Sequence, residues 1–368
     1  MGFAQSSLRR LRKLICVLNP CYKRVPMPMH RHVTIIAVAI AVAAPHPTAA
    51  ADFFAGKTIM ISTYGAPGDS YDVYMRLLSR HYGRHIPGNP RFTATNQTGA
   101  GGLVAINHAS MVAPQDGTFL TVASQGLLIF EATGQRGLHT SIGNFKWLGS
   151  FTQSNNVTVT WHTSKTKTIQ DAMAHEVVVG ASGAAGGSVI GPAIYNAVLG
   201  TKFKIVYGYQ GGAHIDLAMK RGEVEGRGNN TWAGYKATMP NEIRDGLLNV
   251  LIQTGLRKDR DLPHVPLFLD LVRGDGAREP IAAFMSKAVA IARPVAAPPG
   301  VPADRVEILR RAFDATMRDP AFLAEAEKLG AEIDPLTGEA VQGIVAQVLA
   351  TPRPVINQIQ ATLGLPVN

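Results

Sequence analysis

Three glycine-rich turns constrain this chain more than any other feature: Gly65-Ala66-Pro67-Gly68-Asp69-Ser70, Thr98-Gly99-Ala100-Gly101-Gly102 and Gly180-Ala181-Ser182-Gly183-Ala184-Ala185-Gly186-Gly187-Ser188. Each joins an apolar, strand-like run to a helix-like segment. Glycine lets the backbone approach a ligand closely, and the free N–H groups and dipole at a helix start attract anions. Three such turns predict an α/β chain with a site built from backbone amides to hold a carboxylate.

Strand-like and helix-like runs alternate along the chain. Strands are predicted at Lys57 to Thr63, Arg91 to Thr95, Thr118 to Ala123, Phe145 to Phe151, Val157 to Trp161, Val177 to Gly180, Phe203 to Tyr207, Leu248 to Thr254 and Ala288 to Ala292. Helices are predicted from Ser70 to Arg84, Leu103 to Met111, Ile169 to Ala174, Ser188 to Leu199, Ala213 to Arg221 and Asn241 to Leu247. This order predicts α/β layers with parallel sheets. Beyond the proline-rich turn from Arg293 to Pro302 the tail is helical: Ala303 to Met317, Pro320 to Leu329, Gly338 to Leu349 and Pro354 to Leu363.

The first 51 residues read as a leader. Arg9, Arg10, Arg12, Lys13, Lys23, Arg24 and Arg31 meet no acidic residue there, and a mostly apolar stretch from Val33 to Ala44 precedes Ala49-Ala50-Ala51. Basic region, short apolar core and small-residue site make a signal peptide cleaved near Ala51, and the apolar stretch is shorter than the roughly 20 residues a membrane span needs. The expected mature chain starts near Asp52, in the periplasm. Losing the leader lowers the formal charge from +10 to about +3, and no basic cluster remains to track a nucleic-acid backbone. Cys16 and Cys21 also leave with it, which removes disulfides, thiol catalysis and cysteine-bound metal.

Several rival chemistries are weaker. Gly99-x-Gly101 begins a dinucleotide fingerprint, but Val104 occupies the position that needs Gly or Ala, and Ser124-Gln125-Gly126 ends the next strand without a ribose-binding acid. Gly180-Ala181-Ser182-Gly183-Ala184 resembles a degraded nucleophile elbow, so a secreted serine hydrolase would use Ser182 with Asp261 and His264. Small residues delay the following helix to Ser188, leaving Ser182 in a soft loop. His81 and His85 stand four apart, but Gly83 lies between them and no nearby acid completes a metal set, so both read as a solvated helix end and no metal or cofactor is expected. Asp72 and Arg76 are spaced to pair on one helical face.

The run with Gly68-x-x-x-Asp72-x-x-x-Arg76, Asn96-x-x-Gly99-Ala100-Gly101-Gly102 and Ala113-Pro114-x-Asp116-Gly117-Thr118, followed by Ser182-Gly183, Gly187-Ser188, Tyr209-Gln210-Gly211 and Gly222-Glu223-Val224, resembles the tripartite tricarboxylate transporter substrate-binding proteins, the Bug-type periplasmic receptors. The resemblance implies a type II periplasmic-binding-protein fold, with two α/β lobes joined by a two-segment hinge and a ligand cleft between them. It divides the mature chain into residues 52–150 with 286–368 as lobe 1 and 151–285 as lobe 2. It implies capture of a small organic acid without chemistry on it and delivery to membrane permease subunits, by a protein acting as a monomer. A ligand sensor for a signalling partner is the non-transport alternative.

The expected ligand contacts are Tyr64, Gly65, Ala66, Pro67, Gly68, Asp69, Ser70 and Tyr71 at the first turn, and Asn96, Thr98, Gly99, Ala100 and Gly101 at the second. Ser124 and Gln125 follow the next strand, Ser182, Gly183, Gly186, Gly187 and Ser188 form the third turn, and Gln210 and Gly211 precede a helix. Asp69 departs from the double glycine of the resembled family. It either caps the following helix or meets a polar or cationic group on the ligand.

Overall fold

The computed structural model describes residues 53–183 and 185–365, so the signal-peptide expectation for residues 1–51 lies outside the described residues. The first βα pair is β1 (Thr58–Thr63) and α1 (Ser70–His81). Ile59 and Ile61 of β1 are fully buried against Tyr74, Leu77 and Leu78 of α1, the alternation of a strand meeting the helical period of its neighbour. The chain continues through β2 (Arg91–Asn96), α2 (Leu103–Met111), β3 (Phe119–Val122), α3 (Gly126–Ala132) and β4 (Lys146–Thr152).

It then crosses at residues 153–155 into a second sheet. This part contains β5 (Asn156–Trp161), α4 (Ile169–Ala174), β6 (Val177–Gly180), α5 (Gly187–Leu199), β7 (Phe203–Val206), α6 (Gly212–Lys220) and β8 (Gly226–Thr231). It ends with α7 (Trp232–Thr238), α8 (Pro240–Arg244), β9 (Leu248–Thr254) and α9 (Phe268–Leu271). After α10 (Glu279–Ala288) the chain rejoins the first sheet as β10 (Ala292–Ala297). It finishes with α11 (Ala303–Thr316), α12 (Pro320–Lys328), β11 (Leu336–Thr337), α13 (Gly338–Leu349) and α14 (Arg353–Thr362).

The first sheet has the order β11-β4-β10-β3-β1-β2 and the second β7-β6-β8-β5-β9. The parallel-sheet expectation holds only for part of each sheet. β1 pairs in parallel with β2 and β3, and β6 with β7 and β8, whereas β10 runs antiparallel to β3 and β4, and β5 to β8 and β9. The strands that carry the chain between sheets enter against the direction of the βαβ units, so both sheets are mixed. One apolar core joins them: Leu127 and Phe130 of α3, Ile190 and Ile194 of α5, Ile281 of α10 and Ile359 of α14 belong to a single buried cluster.

Three departures from the sequence reading have physical causes. The strand expected at Ala288 to Ala292 covers the last residue of α10 and the turn after it, and the strand begins only at Ala292 and runs to Ala297, inside the expected proline turn. Pro294 costs this strand one donor, but its carbonyl still accepts from the Ala123 N–H at 2.9 Å. β8, of sequence Gly-Arg-Gly-Asn-Asn-Thr, has no apolar run, yet it is the buried central strand of its sheet. His81 is buried and not solvated: its Nε2 lies 2.5 Å from Glu325, and His85 Nε2 lies 2.9 Å from Asp319, so both fasten the end of α1 to the α12 region.

Candidate functional site

The ends of both sheets meet at a cavity of about 40 Å³. The first sheet's side contributes Tyr64, Asp69, Tyr71, Ser124 and Gln125. The second contributes Asn156, Ser182, Gly187, Ser188, Gly211, Gly212, Ile215, Arg227, Asn229, Asn230 and Thr231.

The first turn does not present a cradle of free amides. The Ala66 N–H donates to Asp69 Oδ2 at 3.0 Å, the Tyr71 and Asp72 N–H groups donate to Asp69 Oδ1 at 2.8 and 3.1 Å, and the Gly68 N–H donates to Asp72 Oδ2 at 2.9 Å. Two carboxylates of the chain itself therefore occupy the donors, and Asp69 is the N-cap of α1. Gly65, Ala66, Pro67, Gly68 and Ser70 do not line the cavity. Asn96 braces the turn from β2, with Nδ2 donating to the Gly65 carbonyl at 2.7 Å and to Asp72 Oδ1 at 2.9 Å. The expected Asp72–Arg76 pair forms at 2.8 Å.

The second turn is a packing surface. Thr98, Gly99, Ala100 and Gly101 stand outside the cavity lining. A Cβ on Gly101 would lie 2.2 Å from the Gly186 nitrogen, and one on Gly183 would lie 2.7 Å from the Gly101 nitrogen. Gly183 and Gly186 thus form a seam of backbone against backbone with the second turn. Gly102, at φ +111°, sits where a Cβ would be 2.9 Å from the Ser124 Cβ. Gln210 is exposed and stands outside the cavity lining, while Gly211 packs against Ala66 and Asp69 and lines the cavity.

At the third turn Gly187 and Ser188 open α5 and line the cavity, and the N-cap Gly186 offers no side chain to their amides, while the Val189 N–H donates to the Gly186 carbonyl at 3.0 Å. The Ser182 N–H donates to Ser188 Oγ at 3.1 Å, and the two hydroxyls lie 3.3 Å apart. No described histidine bonds Ser182. Asp261, the acid of the hydrolase alternative, instead accepts from Trp232 Nε1 and Lys236 Nζ.

The sequence reading missed Arg227, Asn229 and Asn230 of β8, together with Asn156, Thr231, Gly212 and Ile215. Arg227 Nη1 donates to both oxygens of Asp216 at 3.0 and 2.9 Å. Burial alone would lower the Arg227 pKa, but Asp216 outweighs it and holds the guanidinium firmly protonated. Burial pushes the Asp69 carboxyl above its ordinary value, opposed by the Asp72 amide and by Arg227. Burial likewise pushes the Tyr64 hydroxyl well above the usual tyrosine range and raises Tyr71, so both phenols remain protonated.

The polar atoms around the cavity are unusual in having no protein partner. Ser124 Oγ and Gln125 Oε1 on one side, and Asn156 Oδ1, Arg227 Nε, Asn229 Oδ1 and Asn230 Nδ2 on the other, are buried without a hydrogen bond. Buried polar groups in folded proteins are nearly always paired. Six unpaired ones around one cavity, drawn from both sides, make a surface complementary to a small polar molecule. Among the described residues no cluster of three or more His, Cys, Asp or Glu is arranged to hold a metal.

No family model matches the sequence, and no curated protein does. Solved structures match its fold. The periplasmic binding protein BugD superposes with a TM-score of 0.67 at 17% identity, covering 84% of this chain and 98% of that one. The fold is that of the Bug- and TctC-type periplasmic binding proteins. R. palustris Rpa4515 with adipate gives 0.65 at 16% identity, covering 84% and 98%. MatC from Rhodopseudomonas palustris with bound malate gives 0.62 at 17% identity, covering 84% and 99%. The two-lobed architecture and the cleft at the ends of both sheets are properties of this fold.

Proposed function

We propose that this protein is a periplasmic solute receptor that captures a small organic carboxylate between two lobes and delivers it to the membrane permease of a tripartite tricarboxylate-type transporter. The observation that carries this reading is the set of unpaired, buried polar atoms contributed by both sides of one cavity. A ligand pairing with both sets would hold the lobes together, which is how a binding protein couples occupancy to closure. The carboxylate is assigned to the uncapped start of α5 at Gly187 and Ser188, and to Arg227, with Ser124, Gln125, Tyr64, Tyr71 and Ser182 shaping the remainder. The lobes are taken as residues 52–150 with 286–368 and residues 151–285, and the protein as an exported monomer that performs no reaction on its ligand. Among the described residues the Ser182 hydroxyl lies against Ser188 and no histidine, and Asp261 accepts from Trp232 and Lys236, which supports a binding role.

The test is a thermal-shift panel of mono-, di- and tricarboxylates, amino acids and aromatic acids on the purified mature chain. A ligand at about 100 times its Kd stabilises the folded state by about 2.7 kcal/mol, which corresponds to a rise of roughly 4 °C for a chain of this size. If every compound shifts Tm by less than 1 °C at millimolar concentration, the receptor reading fails. Among binders, radiolabelled uptake in cells carrying and lacking the chain separates transport from sensing.

A further inference from the structure

Arg227 and Asp69 face one cavity from opposite sides and carry opposite charges. Arg227 is only 9% exposed. Its Nη1 is committed to Asp216, its Nε is buried without a partner, and its Nη2 lies against Gly212, where an added Cβ would be 2.3 Å away. These two nitrogens form one edge of the guanidinium, the planar fork that matches a carboxylate in bidentate fashion. Asp216 holds the opposite edge, and Tyr235 lies under the group with its ring centroid 5.7 Å from the guanidinium carbon, so the free edge is fixed in direction.

Asp69 is 5% exposed and accepts three backbone N–H groups from its own turn. A carboxylate has about four acceptor sites, so one remains for a donor in the cavity that Asp69 lines. The charges around this space balance only with one half-exposed partner counted. Arg227 and Arg293 are buried and positive, Asp69, Asp216 and Asp72 are buried and negative, and Asp72 is paired with the half-exposed Arg76 at 2.8 Å. Arg293 is fully buried, stacks on Tyr74 at 4.4 Å and donates to Thr231 Oγ1 at 2.5 Å. A ligand bearing net charge would upset this balance in a buried site, and a second carboxylate on it would face Asp69. A ligand with one group of each sign would not. The cavity is also compact, since about 40 Å³ corresponds to roughly three water sites.

We infer that the ligand of this protein is a small zwitterion, an ammonium and a carboxylate on the same short carbon frame, with the carboxylate seated on the Nε/Nη2 edge of Arg227 and the ammonium facing Asp69. This rests on the receptor reading above and narrows its ligand class. Arg227 becomes the specificity-determining cation, Asp216 the residue that positions it, and Asp69 both helix cap and ammonium acceptor.

Calorimetric titration of the mature protein at pH 7 tests it with glycine, alanine and serine, with lactate and propionate, which lack the ammonium, with alaninamide, which lacks the carboxylate, and with malate and adipate. The expected result is tightest binding by an amino acid, with at least a tenfold loss when either charged group is absent. Asp69→Asn keeps an N-cap residue and so keeps the fold. It is expected to reduce the preference for alanine over lactate at least tenfold. Arg227→Gln combined with Asp216→Asn, which avoids an unpaired buried acid, is expected to abolish binding while circular dichroism stays unchanged. If malate or adipate binds more tightly than every amino acid, or if Asp69→Asn leaves the preference intact, the zwitterion assignment is overturned and the receptor reading stands. If no compound of either class binds, both fall.

Discussion

Gly126→Ala separates the energetics of closure from those of folding. Gly126 is the first residue of α3 and does not have a left-handed φ, so its own backbone accepts alanine. Within that helix alanine is favoured over glycine by about 0.5–1 kcal/mol. Across the seam, however, the new Cβ would lie 2.3 Å from the Ala185 carbonyl oxygen and 3.0 Å from the Gly187 nitrogen, where ordinary contact begins at 3.4 Å. The obstacle is backbone on the loop leading into α5, and it must retreat by about 1 Å. Overpacking of this kind costs about 1–3 kcal/mol, and on the proposed receptor reading, in which opening of the cleft separates the two loops, the cost falls on the closed arrangement alone. Ligand affinity is therefore expected to fall roughly 5- to 150-fold. The ligand-free melting temperature should change by no more than a degree or two, and small-angle scattering should report a larger radius of gyration in the presence of ligand than the parent shows. A Kd within twofold of the parent would refute the idea that this seam closes with ligand. A ligand-free Tm lowered by more than about 2 °C would place the contact inside the permanent core instead.

Asp69 predicts a pH effect of definite sign. Its folded-state pKa is raised by burial, so the folded protein binds a proton more readily than the unfolded chain, and Asp69's contribution becomes more favourable as pH falls through the folded value. Arg227 and Asp72 are the charges that modulate it. The melting temperature of the parent relative to Asp69→Asn should therefore rise between pH 7 and pH 4, and a constant difference would contradict it. Asn96→Ala removes the brace between β2 and the first turn and is expected to cost about 1–2 kcal/mol of stability, with the ligand Kd unchanged within twofold. Gly149→Ala places a Cβ 2.2 Å from the Phe313 ring and is expected to destabilise the first sheet by about 1–3 kcal/mol, read as a lower denaturant midpoint with no selective loss of binding.

Where a residue's role depends on near neighbours, the sequence was sufficient. The βα order, the capping Asp69, the Asp72–Arg76 pair and the helices of the tail follow from period, spacing and local hydrogen bonding, and the turns that carry glycine lie close to one another as expected. Local rules could not say which donors those turns would leave free. The amides around Gly65 to Asp72 are consumed by Asp69 and Asp72, a matter of side-chain direction, and the Gly99 to Gly101 turn is spent on contact with Gly183 and Gly186 from a distant part of the chain. The strand Gly226–Thr231 was illegible because its burial comes from neighbours on both sides. Its glycines at 226 and 228 make room for the Val159 and Ser188 carbonyls, at 2.2 and 2.3 Å from an added Cβ, and nothing in a polar hexapeptide announces that.

The amino-acid order by itself determined a layered α/β chain, its glycine hinges between strand and helix, and a carboxylate poised at the first of them, because each depends on interactions a few residues long. Only the tertiary structure decided that Arg227, held by Asp216 and separated from Asp69 by more than 150 positions of chain, would share one small cavity with it. Long-range burial, which strips water from both charges and leaves their free edges facing one space, is the physical reason.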